Sequence, residues 1–323
     1  MSVLFKKQKG GTMKLSEIKK IIEKYGLPGE NPKPAPSSEK RFPDGAHYRM
    51  EVSGVERPEV LDALLDEREK RGVPIHRLIS TVMGSTLLDK EELKSFAKMA
   101  HDARVEVILT PGPRSSWDTG RQVATPEGAL CGLRLRGVDN VVRYIGDVMR
   151  AIDIGFRGFL VWDEGVLWLL SRMREDGIIP KETVFKVSIF AGHGNPFGAK
   201  VVEGLGANTI NPLGDLSIEM FAAIRQAIDI PMDVHIFLFD SWGGFNRFWE
   251  APELARVAAP CYFKLEPGAS MGLYKPWVSP DSLAFLAREK VKYAQIIKEI
   301  IEENNPELKL SEQGPEDLAI PQP

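Results

Sequence analysis

The chain has 323 residues, of which 43% are hydrophobic and 27% charged; that is long enough for one large barrel-type domain or two ordinary ones with a sizeable core. A formal net charge of -3 argues against a broad nucleic-acid surface, which needs a clearly basic face. Two cysteines, Cys131 and Cys261, make neither a disulfide scaffold nor a four-cysteine iron-sulfur cluster and read as reduced, buried thiols. No secretory or membrane-spanning run is present, so the cytoplasm is the default location and no membrane partner is expected.

In chain order, residues 1–11 read as a loose basic tail, and 15–25 as a short amphipathic helix with Ile18, Ile21 and Ile22 on one side, stopped at Gly26. Prolines, serines and charges without periodicity over 27–46 read as a wrapping arm. From residue 47 a strand, loop, helix rhythm takes over. Strand candidates occupy 47–53, 74–81, 105–110, 158–163, 184–190, 207–211, 231–237 and 261–266. Helical candidates fall between them at 58–71, 90–103, 138–153, 166–176, 197–205, 217–228 and 251–258, with a long closing helix over 280–302. Asp89 and Glu92 have capping-box spacing, and Pro58, Pro252 and Pro280 sit where first helical turns begin.

Eight such units match the size and order of an α/β fold of the (β/α)8 TIM-barrel type. The first strand lacks the glycine-rich turn expected of a doubly wound dinucleotide-binding sheet. The organisation expected is therefore an N-terminal tail, helix and arm over 1–46, the barrel over 47–302 and a C-terminal extension over 303–323.

Residues two apart on a strand share a face. Arg49, Glu51 and Ser53 therefore point together, as do Glu106 and Thr110, Lys186 and Ser188, Asp233 and His235, and Lys264 and Glu266. Either His76 or Arg77 joins them from the second strand, depending on register. The alternating set, including Val52, Val107, Val234 and Phe263, is apolar and suited to packing beneath helices, which turns the charges inward. A salt-bridged core would account for such an inventory, and so would chemistry.

Near the strand C-termini, where barrel enzymes build their sites, Glu51, His235 and Glu266 are stronger catalytic candidates than the deeper Arg49 and Lys186. Lys264 suits charge stabilisation; with Glu266 beside it, a Schiff base is the weaker choice. Glu51, Asp233, His235 and Glu266 offer the oxygen and imidazole donors of a divalent metal such as Mg, Mn, Fe or Zn. In the loops, His193 lies between two glycines, Asn195 follows it, and Asn211 ends the sixth strand. Arg114 and Trp242 stand in two long loops that could clamp a ligand. The tryptophans there would equally pack a loop or the interface of a homo-oligomer. Substrate contacts are thus expected from Arg49, Arg114, Lys186, Asn195, Asn211 and Trp242, with His193 joining the catalytic candidates. The partner expected is a small polar or anionic molecule.

The phrases from His193 to Lys200, from Gly206 to Pro212, Asp233-Val-His235 and from Lys264 to Gly268 resemble bacterial barrel proteins grouped with the U32 peptidases, over roughly 47–300. The resemblance implies a barrel and links to collagenase-like proteolysis or to modification of RNA and prenylated cofactors, in some members with iron-sulfur regions. The cysteine count does not carry such a region over, and no Ser-His-Asp or Cys-His order supports proteolysis. The reading from the residues is acid-base chemistry by a lyase, isomerase or hydrolase, with or without the help of a divalent metal; the alternatives are a U32-like hydrolase and a ligand-binding barrel without catalysis.

Overall fold

Eight parallel strands close on themselves in sequence order, in a computed structural model that describes residues 13–115 and 117–323. The basic tail expected over 1–11 and the side chain of Cys131 lie outside the described residues. The strands are β1 Tyr48–Ser53, β2 Arg77–Ser80, β3 Glu106–Leu109, β4 Gly158–Val161, β5 Val184–Val187, β6 Thr209–Ile210, β7 Met232–Phe237 and β8 Cys261–Leu265. The TIM-barrel reading holds. Pairing is shorter than the apolar runs on several strands: β6 keeps two residues and β5 gives way at Ser188 to a short 3-10 turn over Ile189–Ala191. The ends of those runs face neighbours that have already turned into loops.

Helix α1 (Leu15–Lys24) precedes the barrel; α2 (Pro58–Arg71), α3 (Lys90–Asp102), α4 (Val138–Ile154), α5 (Glu164–Glu175), α6 (Pro196–Gly204), α7 (Ile218–Ala227), α8 (Ala251–Ala258) and α9 (Pro280–Asn304) surround it. Local signals act where the sequence places them. Asp89 accepts hydrogen bonds from the backbone of Glu91 and Glu92, and the Glu92 carboxylate accepts one from the Asp89 N–H at 2.8 Å. Pro58, Pro252 and Pro280 occupy the first turns of α2, α8 and α9.

Alternation along the strands makes the core. Met50, Val52, Val107, Val234, Ile236, Phe263 and Leu265 are fully buried between sheet and helices, while the charged set turns to the axis. Helix α9 buries Leu283, Ala287, Lys290, Val291, Ala294, Ile297 and Ile301 along one stripe, a spacing of three and four that fits a core-facing helix.

Residues 305–323 run beneath the N-terminal ends of the strands. His47 donates to Lys309 O at 2.8 Å, Leu310 bridges to Tyr48, Ile75 donates to the Gln313 side chain at 3.0 Å, and Gln322 donates to Gly155 O at 2.8 Å. Gly155 has a φ of +118°, and a Cβ there would lie 2.4 Å from Gln322 O, so the strap requires glycine. Among the described residues no helix is long and apolar enough to cross a membrane.

Candidate active site

Inward-facing charges form a belt at mid-height. Arg77 is its hub: its guanidinium lies 2.6 Å from Glu106, 2.8 Å from Asp233 and 3.2 Å from Glu51, with its plane 3.7 Å from the Tyr262 ring centre. Lys186 adds contacts of 2.6 Å to Asp233 and 3.0 Å to Glu51. All are at most 3% exposed. Burial pushes the Lys186 ammonium down from its ordinary range against the pull of Asp233 and Glu51. Burial also pushes the Asp233 carboxyl up. Glu51 is held down, because Lys186 and Arg77 outweigh its burial.

This belt changes the reading of three expected residues. Glu51 and Asp233 are neutralised by protein cations, and among the described residues no three His, Cys, Asp or Glu side chains gather as a metal would need. Of the four expected metal donors, Glu51 and Asp233 contact Arg77 and Lys186, while His235 and Glu266 pair with each other. Lys186 lies in the belt and lines a cavity of about 260 Å³ at the N-terminal end, together with Arg77, Glu106 and Thr209, rather than facing the C-terminal mouth. Arg49 points inward but sits on the barrel floor. It is bound by Asp317 at 2.7 and 2.8 Å, by Ser311 at 2.9 Å and by the Tyr262 hydroxyl at 3.1 Å, the first two partners belonging to the C-terminal strap.

At the opposite end, β7 and β8 bring His235, Lys264 and Glu266 together. His235 Nε2 lies 3.1 Å from Glu266 Oε2, and Lys264 Nζ lies 3.5 Å from the same oxygen. Burial drives the His235 imidazole down to about 4, with the Lys264 charge adding to the effect. Burial alone would raise Glu266, but Lys264 and the His235 hydrogen bond bring it down to about 2. Near neutral pH the pair is thus a neutral imidazole donating Nε2–H to a carboxylate. His235 Nδ1 and Glu266 Oε1 have no hydrogen-bond partner among the described residues.

Lys264 and Glu266 line a cavity at the C-terminal mouth with Thr81, Thr110, Ser188 and Arg114. Its walls are aromatic: Phe190 stacks on Trp242 at 5.1 Å between ring centres and meets Trp117 at 5.5 Å and Trp162 at 6.1 Å. The free space is about 20 Å³, room for roughly one water. Trp117 and Trp242, from the third and seventh loops, both line it. Arg114 donates to Thr81 O at 2.7 Å and pairs with Asp118 at 3.2 Å, which fixes the third loop across the mouth.

The remaining expected residues stand apart from this cavity. His193 lies 3.4 Å from Glu164, and burial lowers its pKa; a Cβ on Gly198 would come within 2.5 Å of its ring. Asn195 caps α6, accepting from the backbone of Phe197 and Gly198 at 3.0 Å. Asn211 donates to Asp233 O at 2.6 Å and so braces β6 against β7.

Two residues next to the site had no place in the inward-face inventory. Glu56 follows β1 and accepts from Ser80 Oγ at 2.8 Å and from the backbone of Thr81 and Val82 at 2.9 and 3.1 Å. Lys290 reaches from α9 to Ser53 O at 2.6 Å; burial lowers it to about 8 while Glu266 and Glu56 oppose the shift. Its signal was a lysine inside the apolar stripe of α9. Glu56 had none beyond its position after a strand.

No family model and no curated protein matches the chain. Among solved structures it is similar to the YdjI aldolase from Escherichia coli K12, at 15% identity over 81% of this chain and 94% of that one, with a TM-score of 0.46. A U32 peptidase gives a weak structural match at 16% identity over 73% of this chain and 97% of that one, TM-score 0.42. The D-psicose 3-epimerase from Clostridium cellulolyticum H10 aligns at 12% identity over 78% and 99%, TM-score 0.42. At these identities the likeness concerns the barrel and transfers no activity or site residue.

Proposed function

We propose that this barrel is an enzyme that moves a proton next to a carbonyl or carboxyl group of a small polar substrate, as a lyase, isomerase or hydrolase. The observation that carries the reading is the buried His235–Glu266–Lys264 constellation at the C-terminal mouth, where His235 Nδ1 and Glu266 Oε1 lack partners among the described residues. Glu51 Oε1 in the belt is also without a hydrogen-bond partner among the described residues, but Glu266 lines the cavity at the mouth, where a substrate can reach it.

The roles follow from charge. Lys264 holds the substrate oxygen on which negative charge develops. Glu266 and His235 share the proton. In the closed site Lys264 keeps Glu266 weakly basic; a substrate oxygen that draws the ammonium away raises the basicity of the carboxylate just where a proton must be taken. His235, kept neutral by burial, holds Glu266 Oε2, and Oε1 is left without a partner among the described residues. Trp117 and Trp242 close the mouth against water. The cations already seated on Glu51 and Asp233 favour a reaction run on protein groups, and full activity after EDTA treatment is the expected result.

Heavy-water exchange tests the reading even while the product is unidentified. Incubated with a panel of small carbonyl and carboxyl compounds, the protein should wash deuterium into the adjacent carbon of at least one, seen by proton NMR. Glu266→Gln and His235→Ala should each slow that exchange by about 10²-fold or more while keeping a native circular dichroism spectrum. Exchange that persists in both folded variants, or that disappears only because they unfold, would overturn the assignment.

A further inference from the structure

The mouth has an unusual pairing of features: its walls are aromatic and its charges balance. Trp117, Trp162, Phe190, Trp242 and Tyr274 surround the cavity, and the electron-rich faces of such rings attract organic cations. Arg114 is matched by Asp118 and spends a further N–H on Thr81 O. Lys264 stands against Glu266. In the belt below, three carboxylates, Glu51, Glu106 and Asp233, face two cations, Arg77 and Lys186.

Among the described residues no cation lining the mouth is left over for a second negative charge. A purely anionic substrate would reach Lys264 only by competing with Glu266, above an interior that already carries more carboxylates than cations. A purely apolar one would bury Lys264, Glu266 and the Thr110 hydroxyl, which has no partner among the described residues, without compensation. A molecule carrying both charges meets every requirement. We infer that the site takes a compact zwitterion, its carboxylate on Lys264 and its ammonium held between the aromatic walls and Glu266. This rests on the placement of the site proposed above and names the class of molecule that site accepts.

The balance also suits a narrow mouth. A zwitterion adds no net charge to the space between Lys264, Glu266 and the aromatic walls, so neither of its charges is left unpaired there. Discrimination then lies in the ammonium: removing it leaves the carboxylate facing Glu266 and gives up the cation–π contacts.

Isosteric pairs test this with the whole protein, using intrinsic tryptophan fluorescence and calorimetry. Glycine betaine is compared with 3,3-dimethylbutanoate, which replaces its quaternary nitrogen by carbon, and L-valine with 3-methylbutanoate, which lacks its amine. The expected result is binding of the ammonium-bearing member at least about tenfold tighter in one pair or both, with Lys264→Met weakening it and Trp242→Leu erasing the preference. Equal or tighter binding of the plain carboxylates, or no response to either zwitterion at millimolar concentration, overturns the inference. The two readings fail separately. A bound zwitterion that exchanges no carbon-bound proton sinks the proton-transfer assignment and keeps the ligand class, whereas exchange into a plain carboxylate does the reverse.

Discussion

His76 and His235 are both fully buried, and burial drives each from 6.5 down to about 4. The His76 tautomer is set by its partners: Nδ1 accepts from Met50 N at 3.0 Å, so Nε2–H donates to Ser311 O at 3.0 Å. Protonating Nδ1 breaks the first bond and places a charge beside Arg49. Because the folded pKa lies below the unfolded one, the unfolded chain binds more protons between 6.5 and 4. The contribution is complete above 6.5 and is lost as the pH falls through that window, on the order of 3 kcal/mol for each histidine. Glu266, depressed to about 2 from 4.5, loses its share only below 4.5. Urea midpoints should therefore fall between pH 6.5 and 4.5 through the histidines, and less steeply in His76→Gln and in His235→Gln; an unchanged acid slope in both variants would refute this. At this scale the two-residue period correctly put Asp233 and His235 on one face. It could not say that they serve different structures, because two residues advance a strand by roughly 6–7 Å: Asp233 reaches the belt and His235 the rim. Arg49, read as deeper than Glu51, lies on the floor, where Asp317 and Ser311 of the C-terminal strap bind it.

Among the elements, the C-terminal strap was the least legible. Residues 305–323 have neither a helical nor a strand period, and their meaning lies in partners that sequence order hides. Asp317 supplies both carboxylate oxygens to Arg49, which is fully buried, and Ala319 N donates to Glu106 Oε2 at 3.0 Å. The strap thus completes the ionic floor. The helices were far more readable, because caps, prolines and apolar stripes are local signals; α8 over Ala251–Ala258 matches its expected limits residue for residue. Removing one partner of a buried pair typically costs about 3–5 kcal/mol. Asp317→Ala should lie near the lower end, because the Asp317 side chain keeps 31% exposure, and Arg49→Met in the same chain should recover part of the loss. Equilibrium denaturation of the two single variants and the double variant gives the coupling directly. A loss below about 0.5 kcal/mol in Asp317→Ala would mean that the strap is dispensable to the floor.

Over the whole molecule, the charged interior that sequence patterning singled out resolves into two parts with different tasks. The belt joins β1, β2, β3, β5 and β7 through Arg77 and Lys186 and separates the floor cavity from the mouth. The rim constellation belongs to β7 and the end of β8. Barrel closure brings both about, since only a closed sheet lets side chains from non-adjacent strands such as β2 and β7 meet on the axis; that is why strand-by-strand reading found the residues without their grouping. The two parts should answer substitution differently. Arg77→Met leaves three carboxylates around an apolar side chain and should lower stability by about 3–5 kcal/mol. Lys264→Met leaves Glu266 hydrogen-bonded to His235 and near Lys290, so it should cost less than Arg77→Met, about 1–2 kcal/mol. Urea titrations near neutral pH compare the two. If Lys264→Met proves as costly as Arg77→Met, the rim is a continuation of the structural belt rather than a place where stability has been given up for chemistry.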